Sequence, residues 1–449
     1  MQIRTTERRN RTGAQRLAWL VAAGLLMASC TSAGAKAQES AVHPVTTPES
    51  TTATALGTRA AAPGSGPSTP STPASSVPGR TPPSSPGRIP LSSPHPTTKA
   101  GAAGGLPGMP PVADPHNVYA DAAAGRLSAA VAGDPPYAYV PHNRSGDVWV
   151  IDQRTHAVIR KCHVGIEIQH VVPSYDLTKL YATDDVGNHI RVIDPRTGEC
   201  GREIPVKDPY NMYFTPDGRY AISVAEEYRQ LIWYDPVTWK VHDTTSIPGC
   251  AGIDHADFSP DGRTAVFTCE FAGRVAVVDI VTHRVERLID MPVRNTMMGP
   301  QDIKLAPDGS AYYIADSDSN GVWVLDGAAR KVLRHIATGR GAHGLYLSRD
   351  ASELYVTNRL AGTISVLNSR TGALLTTWVI PGGGSPDMGN VSADGSQLWV
   401  SGRYNSVVYV FDTRNGHLLA RIPVGDEPHG LALMPIPGRY SLGHTGITR

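Results

Sequence analysis

Beyond about residue 136 the apolar positions fall in short alternating runs, and the runs themselves recur. Val148–Asp152 reads VWVID, and the pattern returns as IRVID at Ile190–Asp194, IWYD at Ile232–Asp235 and VAVVD at Val275–Asp279. VWVLD at Val322–Asp326, ISVLN at Ile364–Asn368 and VYVFD at Val408–Asp412 complete the set. Measured at the closing Asp or Asn, the spacings are 42, 41, 44, 47, 42 and 44 residues. Alternation of period two predicts strands, and a repeat of roughly 40–45 residues built from them predicts one propeller blade per repeat.

One full unit can be read from His343 onward. Gly344–Ser348 forms a first strand, Arg349–Ser352 a turn, and Leu354–Asn358 a second strand. Thr363–Leu367 is the third, Asn368–Gly372 another turn, and Ala373–Ile380 the fourth. These are strands A to D, joined by hairpins with turn chemistry at each corner. Pro-Asp-Gly at Pro216–Gly218, Pro260–Gly262 and Pro307–Gly309 marks the A–B turn, with Pro presetting the second turn position. The first repeat lacks a strand A, whereas the last ends after one, Gly430–Met434. The expected fold is therefore all-β: a seven-bladed propeller of four-stranded blades over residues 136–435, closed by the C-terminal strand completing the first blade.

The preceding residues differ in kind. Arg4, Arg8, Arg9, Arg11 and Arg16 lead into an apolar run from Leu17 to Met27, too short for a bilayer span of about 20 residues but suited to an export signal over residues 1–37. Leu26–Cys30 resembles a bacterial lipobox that would lipidate Cys30, and Ala35-Lys36-Ala37 offers an alternative site for ordinary cleavage. Residues 38–115, dense in Pro, Ser and Thr, are expected to be a disordered tether. Residues 116–135 form an Ala-rich lead-in with one short helix, and 436–449 a tail. The implied location is the outer side of the cell membrane, reached through the lipid anchor alone, with secretion as the alternative. Lys+Arg against Asp+Glu is 41 to 40 and aromatic residues make up 6%, so neither bulk charge nor a stacking platform points to nucleic acid.

Leu354–Asn358, Thr363–Leu367, Ile422–Gly425 and Pro428–Gly430 resemble the YVTN-type β-propeller repeat. Cys250–His255 and the tail Pro437–Gly446 look like a subgroup found in exported bacterial proteins. The resemblance implies seven blades but no single activity, since similar propellers include lactonase-like enzymes, haem d1-carrying domains, surface-layer proteins and binding scaffolds.

Six residues before each Pro-Asp-Gly turn or its equivalent, strand A begins at the axial channel. The count gives His170, Tyr210, Asp254, Gln301, His343, Asp387 and His429, with His255 and Asp302 beside them. Such a ring suits a ligand, a divalent transition metal or a haem-type tetrapyrrole, and a hydrogen-bonded channel rim is the plainer reading. In the lactonase-like alternative the cation ligands would be Asp254, Glu270, Gln301 and Asp387. The B–C loops add acids on blades 2 to 5 (Asp184, Asp185, Glu226, Glu227, Glu270, Asp316, Asp318) and Arg144, Arg359 and Arg403 on blades 1, 6 and 7. That split face would orient a dipolar ligand or a charged partner loop. No Cys-x-x-Cys-His is present for covalent haem.

Of the five Cys, Cys250 precedes strand A of blade 4 and Cys269 ends its strand B, so a disulfide between them is geometrically reasonable. Cys162 and Cys200 occupy opposite ends of separate outer strands and are expected to remain apart. Taken together, the chain reads as a monomeric, exported, membrane-anchored scaffold that binds a cell-envelope protein or a small molecule at its axial loop face. A hydrolase and a tetrapyrrole carrier are the alternatives.

Overall fold

The computed structural model describes residues 105–294, 298–444 and 446–449. The signal region, Cys30 and most of the Pro/Ser/Thr-rich stretch lie outside these residues. The rest folds as a seven-bladed β-propeller, with six antiparallel sheets of four strands and a seventh of six. Within each blade the order from the axis outward is A, B, C, D.

Burial explains the composition of each strand. Strands A and B of blade 2, Ile168–Pro173 and Leu180–Asp184, are buried throughout because neighbouring blades cover both faces. The outer strands, such as Val158–His163 and Val241–Ser246, are largely exposed. Apolar side chains of adjacent blades interleave as successive layers around the ring. The layer that unites the chain's two ends joins Ala138, Val140 and Ile151 of blade 1 to Trp399, Val408 and Val410 of blade 7 and to Leu431 and Leu433. Ala432–Met434 pairs with Tyr137–Tyr139 as the innermost strand of blade 1. The borrowed strand thus closes the ring as the repeat count requires.

Strand A does not run straight into its sheet. In five blades its register to strand B shifts across two residues, for instance between Ile168 and Val171, Ile253 and Ala256, and Ala342 and Leu345. A bulge bends the strand and re-aims the side chains it carries. The backbone N–H left over by the bulge is taken up by a strand B hydroxyl. His170 N–H donates to Thr183 Oγ1 at 3.1 Å, His255 N–H to Thr268 Oγ1 at 2.9 Å and Gly344 N–H to Thr357 Oγ1 at 2.7 Å. The recurring Thr near the end of strand B therefore seats the bulge that faces the axis.

Two disulfides are formed. Cys250–Cys269 ties the loop before strand A of blade 4 to the end of its strand B, with a Cα–Cα distance of 4.9 Å. Cys162–Cys200 joins the outer strands of blades 1 and 2 at 6.4 Å, which corrects the expectation that this pair stays apart. Counting ends of strands ignored twist. At about 20–25° per strand, the three steps from A to D turn the outer strand by about 60–75°, so it runs around the ring and its late end meets the early end of the next.

The lead-in and the tail meet beneath the A–B turns. The Ala-rich segment forms a single 3-10 turn, Ala120–Ala122, where a short helix was expected; Gly125, at φ +77°, turns the chain away soon after. Tyr119 Oη donates to Asp257 Oδ2 at 2.9 Å and to the Leu305 carbonyl at 2.9 Å. Arg439 pairs with Asp121 at 2.6 Å. The tail then turns upward: Ser441–Gly443 and Ile447–Thr448 pair with each other and add to the inner edge of blade 3 through Gly443 and Tyr213. Arg449 ends beside Asp257 at 2.8 Å and over the Tyr119 ring. The tail fills the lower channel.

Candidate axial binding site

The bulges present two successive residues per blade, which form two layers around the channel. Aligning the blades on their A–B turns, whose Ser174, Thr215 and Ser259 hydroxyls donate to Asp176, Asp217 and Asp261, places Gln169, Tyr210 and Asp254 in the upper layer. Gln301, His343, Asp387 and His429 belong to it as well. His170 therefore sits one position later than the count from sequence put it. It lies in the second layer with Asn211, His255 and Asp302, where blades 6 and 1 have Gly344 and Gly430. A Cβ on Gly430 would meet His170 Cδ2 at 2.1 Å, so the glycine of the His429-Gly430 pair leaves room for the imidazole of the next blade.

Six of the seven residues read from sequence, all but Gln301, come together around the axis with His255. The His170 ring centroid lies 4.7 Å from His429, 5.3 Å from Tyr210 and 5.3 Å from His255, and His343 lies 6.1 Å from His429. Asp387 contacts His343 Nδ1 at 3.0 Å and His429 Nε2 at 3.7 Å. Gln301 stands apart, with its amide on the Gly299 carbonyl at 3.2 Å and against Glu270.

A fifth imidazole comes from outside the repeats. His444, carried up by the tail, lies 4.6 Å from His255 and 5.7 Å from His170 between ring centroids. Its Nδ1 faces Asn211 Nδ2 at 3.1 Å and its Nε2 faces Asp302 Oδ1 at 3.6 Å. The repeat frame gave no sign of it; the only signal in the sequence is a His set between Gly443 and Gly446.

Two sets of ligating atoms lie within 4.8 Å of one another: His170, His255 and His444, and His343, Asp387 and His429. Asp254 and Glu270 belong to neither set among the described residues, although Glu270 lies against Asp254 and the Gln301 amide. Asp387 is engaged instead by Arg359, with Nε at 2.8 Å from Oδ1, and by Arg403 at 3.7 Å from Oδ2.

The electrostatics divide the chamber in the same way. Burial, and then neighbouring imidazoles or guanidiniums, push His170, His343, His429 and His444 well below the usual histidine range, and burial takes His255 down to about 4. All five rings are neutral near pH 7. Burial and then Asp302 raise Asp254 well above the carboxylate range, while burial and then Asp254 raise Glu270 to about 7. Some of the loop charges are structural. Asp184 accepts the amides of Ile166, Glu167 and Gly187, Asp316 that of Ser319, and Arg144 pairs with Glu427 at the rim.

The imidazole pair His170–His255 defines what the chamber asks for. His170 Nδ1–H donates to the Tyr210 carbonyl at 2.9 Å, since a carbonyl can only accept; its Nε2 is therefore a lone pair. That lone pair faces His255 Nε2 at 3.3 Å, while His255 Nδ1 lies 2.6 Å from Asp254 Oδ1. Neutral His255 with its proton on Nε2 donates to that lone pair, and a cation could take the place of the proton. Both ring nitrogens of His429 and Nε2 of His444 are buried without a hydrogen-bond partner, the nearest carboxylates being Asp387 at 3.7 Å and Asp302 at 3.6 Å.

A family model described as YNCE-like beta-propeller matches residues 295–437. The chain is a β-propeller. No curated protein matches it. Among solved structures, Kuenenia stuttgartiensis hydrazine synthase is similar at 18% identity and TM-score 0.51, over 60% of this chain and 90% of that one. A functionally unknown protein from Desulfotomaculum acetoxidans aligns at 17% identity and TM-score 0.55, over 66% and 98%. The dihydro-heme d1 dehydrogenase NirN in complex with DHE aligns at 14% identity and TM-score 0.50, over 73% and 77%. At these identities the likeness is one of fold.

Proposed function

We propose that this propeller is an envelope-tethered binding protein that holds a divalent transition metal ion of tetrahedral preference, of the zinc or cobalt type, between His170 and His255. The separation of the two Nε2 atoms, 3.3 Å, carries the reading. Two imidazole nitrogens at about 2.05 Å from a tetrahedral ion stand about 3.3 Å apart. The Tyr210 carbonyl on His170 Nδ1 and the Asp254 carboxylate beside His255 Nδ1 are the outer partners that orient metal-binding imidazoles and raise their basicity. In the metal-free chamber Asp254 is a neutral acid that donates to His255 Nδ1, and His255 Nε2–H donates to His170; a metal ion takes the place of that proton.

The site is enclosed, with His170 and His255 fully buried and Asp254 2% exposed. Closed sites hold ions, whereas catalytic ones keep a position open to substrate, so holding is favoured over hydrolysis. The tether and the location on the outer side of the cell membrane rest on residues 1–37 and on cysteine use. Two disulfides take four of the five cysteines, which fits an oxidising compartment and leaves Cys30 for the lipid.

Metal analysis of the full chain, as isolated and after incubation with Zn(II) or Co(II), tests the reading. One tightly held ion is expected, with the visible bands of tetrahedral Co(II), and both are lost in His170→Ala and His255→Ala. A protein that neither contains nor takes up an ion refutes it and leaves the proton-bridged pair. A Soret band after incubation with haem would favour the tetrapyrrole reading. Labelling with a palmitate analogue, with Cys30→Ser as control, tests the anchor.

A further inference from the structure

Beyond the imidazole pair, the structure offers a third ligand from a part of the chain that belongs to no blade. We infer that His444 completes the metal site with His170 and His255, so that loading the chamber fastens the C-terminal tail inside the channel. The inference rests on the metal reading above.

Three observations carry it. The ligating atoms of His170, His255 and His444 lie within 4.8 Å of one another, and all three side chains are buried. His444 sits at the apex of the tail's rise through the channel, at φ +51°, a left-handed conformation uncommon outside glycine that His adopts more readily than most residues. Gly443, the residue before it, is pressed against the Met212 and Tyr213 backbone, where a Cβ would not fit, so the chain delivers His444 into the layer of His170 and His255.

The surrounding groups suit a ligand role. Asn211 Oδ1 accepts the Met212 amide at 2.8 Å, which fixes Nδ2 as the atom facing His444 Nδ1. The ring then points Nε2–H toward Asp302 and keeps its lone pair on Nδ1. Coordination through Nδ1 releases the Asn211 amide and leaves Nε2–H on the Asp302 carboxylate, the outer partner that metal-binding imidazoles commonly have. The tail is also held by Arg449 on Asp257 and Arg439 on Asp121, by the Ser441 amide on the Tyr175 carbonyl and by the buried Tyr440, Leu442 and Ile447. A metal–nitrogen bond would add a tie at its apex.

The test compares tail mobility and ion affinity in the full chain. Amide hydrogen exchange over residues 436–449 is followed with and without Zn(II), alongside chelator competition, for the wild type and for His444→Ala, His444→Gln and His170→Ala. Zn(II) should slow exchange across the tail by at least tenfold in the wild type. His444→Ala and His444→Gln should hold the ion at least tenfold more weakly, with exchange in the tail no longer responding to it. His170→Ala should abolish both effects. Wild-type protein that binds Zn(II) with unchanged tail exchange overturns this inference and leaves the two-imidazole site standing, as does wild-type affinity in both His444 variants. Failure of the wild type to bind any Zn(II) overturns the metal reading itself. Since the wild-type comparison with and without ion needs no substitution, a variant that folds poorly does not decide the matter.

Discussion

Replacing Leu433 by Ala tests the ring closure where it is thinnest. Leu433 is 1% exposed and lies in the layer shared by blade 1 and blade 7, on a strand held by only three residue pairs, Tyr137–Met434, Ala138–Leu433 and Tyr139–Ala432. A buried Leu→Ala change costs about 3–5 kcal/mol when neighbours cannot collapse into the cavity, and here two blades fixed by their own ladders frame the hole. A propeller of roughly 300 residues has an unfolding entropy of about 0.6 kcal/mol per degree, so a loss of about 3.5 kcal/mol lowers Tm by about 5–6 °C. Leu375→Ala, at a side chain 52% exposed on an outer strand, is the control and should move Tm by less than about 1 °C. Removing everything after Asp426 deletes the strand outright. Leu431, Leu433, Met434 and Ile436, all essentially buried, would forfeit about 1.5–3 kcal/mol each, comparable to the whole stability of a domain, and no cooperative transition should remain. Differential scanning calorimetry reads all three. Equal Tm values for Leu433→Ala and Leu375→Ala would refute the claim that the borrowed strand holds the ring.

Other outcomes follow from the same geometry. Gly430→Ala puts a methyl group where the His170 ring lies, 2.1 Å from Cδ2. It should destabilise by about 1–3 kcal/mol and weaken Zn(II) binding, while Gly382→Ala, in open space at φ +76°, should leave Zn(II) affinity unchanged. Breaking Cys162–Cys200, whose cysteines are 38 residues apart, should cost about 4 kcal/mol in the chain-entropy model against about 3 for Cys250–Cys269; free-thiol counts and urea midpoints of the Cys→Ser pairs check this. Burial raises the Asp147 pKa, but hydrogen bonds from His142, Trp149 and Ser145 outweigh it and set the value at about 2. Being depressed on folding, it stabilises above about pH 4 and loses that contribution as pH falls toward 2, by about 1 kcal/mol after allowing for its exposure. Asp147→Asn should flatten the stability curve in that window and nowhere else.

The repeat made the fold legible, because every blade must bury the same faces and so repeats the same alternation. The upper axial layer was legible for the same reason, and His343, Asp387 and His429 were found by counting from a turn. The count is off by one at His170, where Tyr175 stands in place of the turn's Pro and nothing local marks the frame. What the period could not show is whatever crosses it. His444 arrives from a segment with no counterpart in the blades. Asp257 lies three residues beyond Asp254, in a position filled by Tyr213 in blade 3 and Lys304 in blade 5, and its meaning appears only when Arg449 reaches it. The Cys162–Cys200 bridge depends on twist accumulated over three strands, a property of the sheet and of no local stretch of sequence.

The closure strand also sets the order of events when the chain folds. Its partners Tyr137 and Met434 must find each other across nearly the whole propeller, and loop-closure entropy for such a span is about 5 kcal/mol against about 2 for the hairpins within a blade. Blades 2 to 7, each a local meander, can therefore form in any order, whereas the seam in blade 1 forms last and opens first. Exchange-labelled refolding should show protection at Tyr137–Tyr139 lagging that of Leu354–Asn358. A propeller that is complete only when its two ends meet remains an open, unlocked arc for most of its folding time, and whatever enters the axial chamber can enter then.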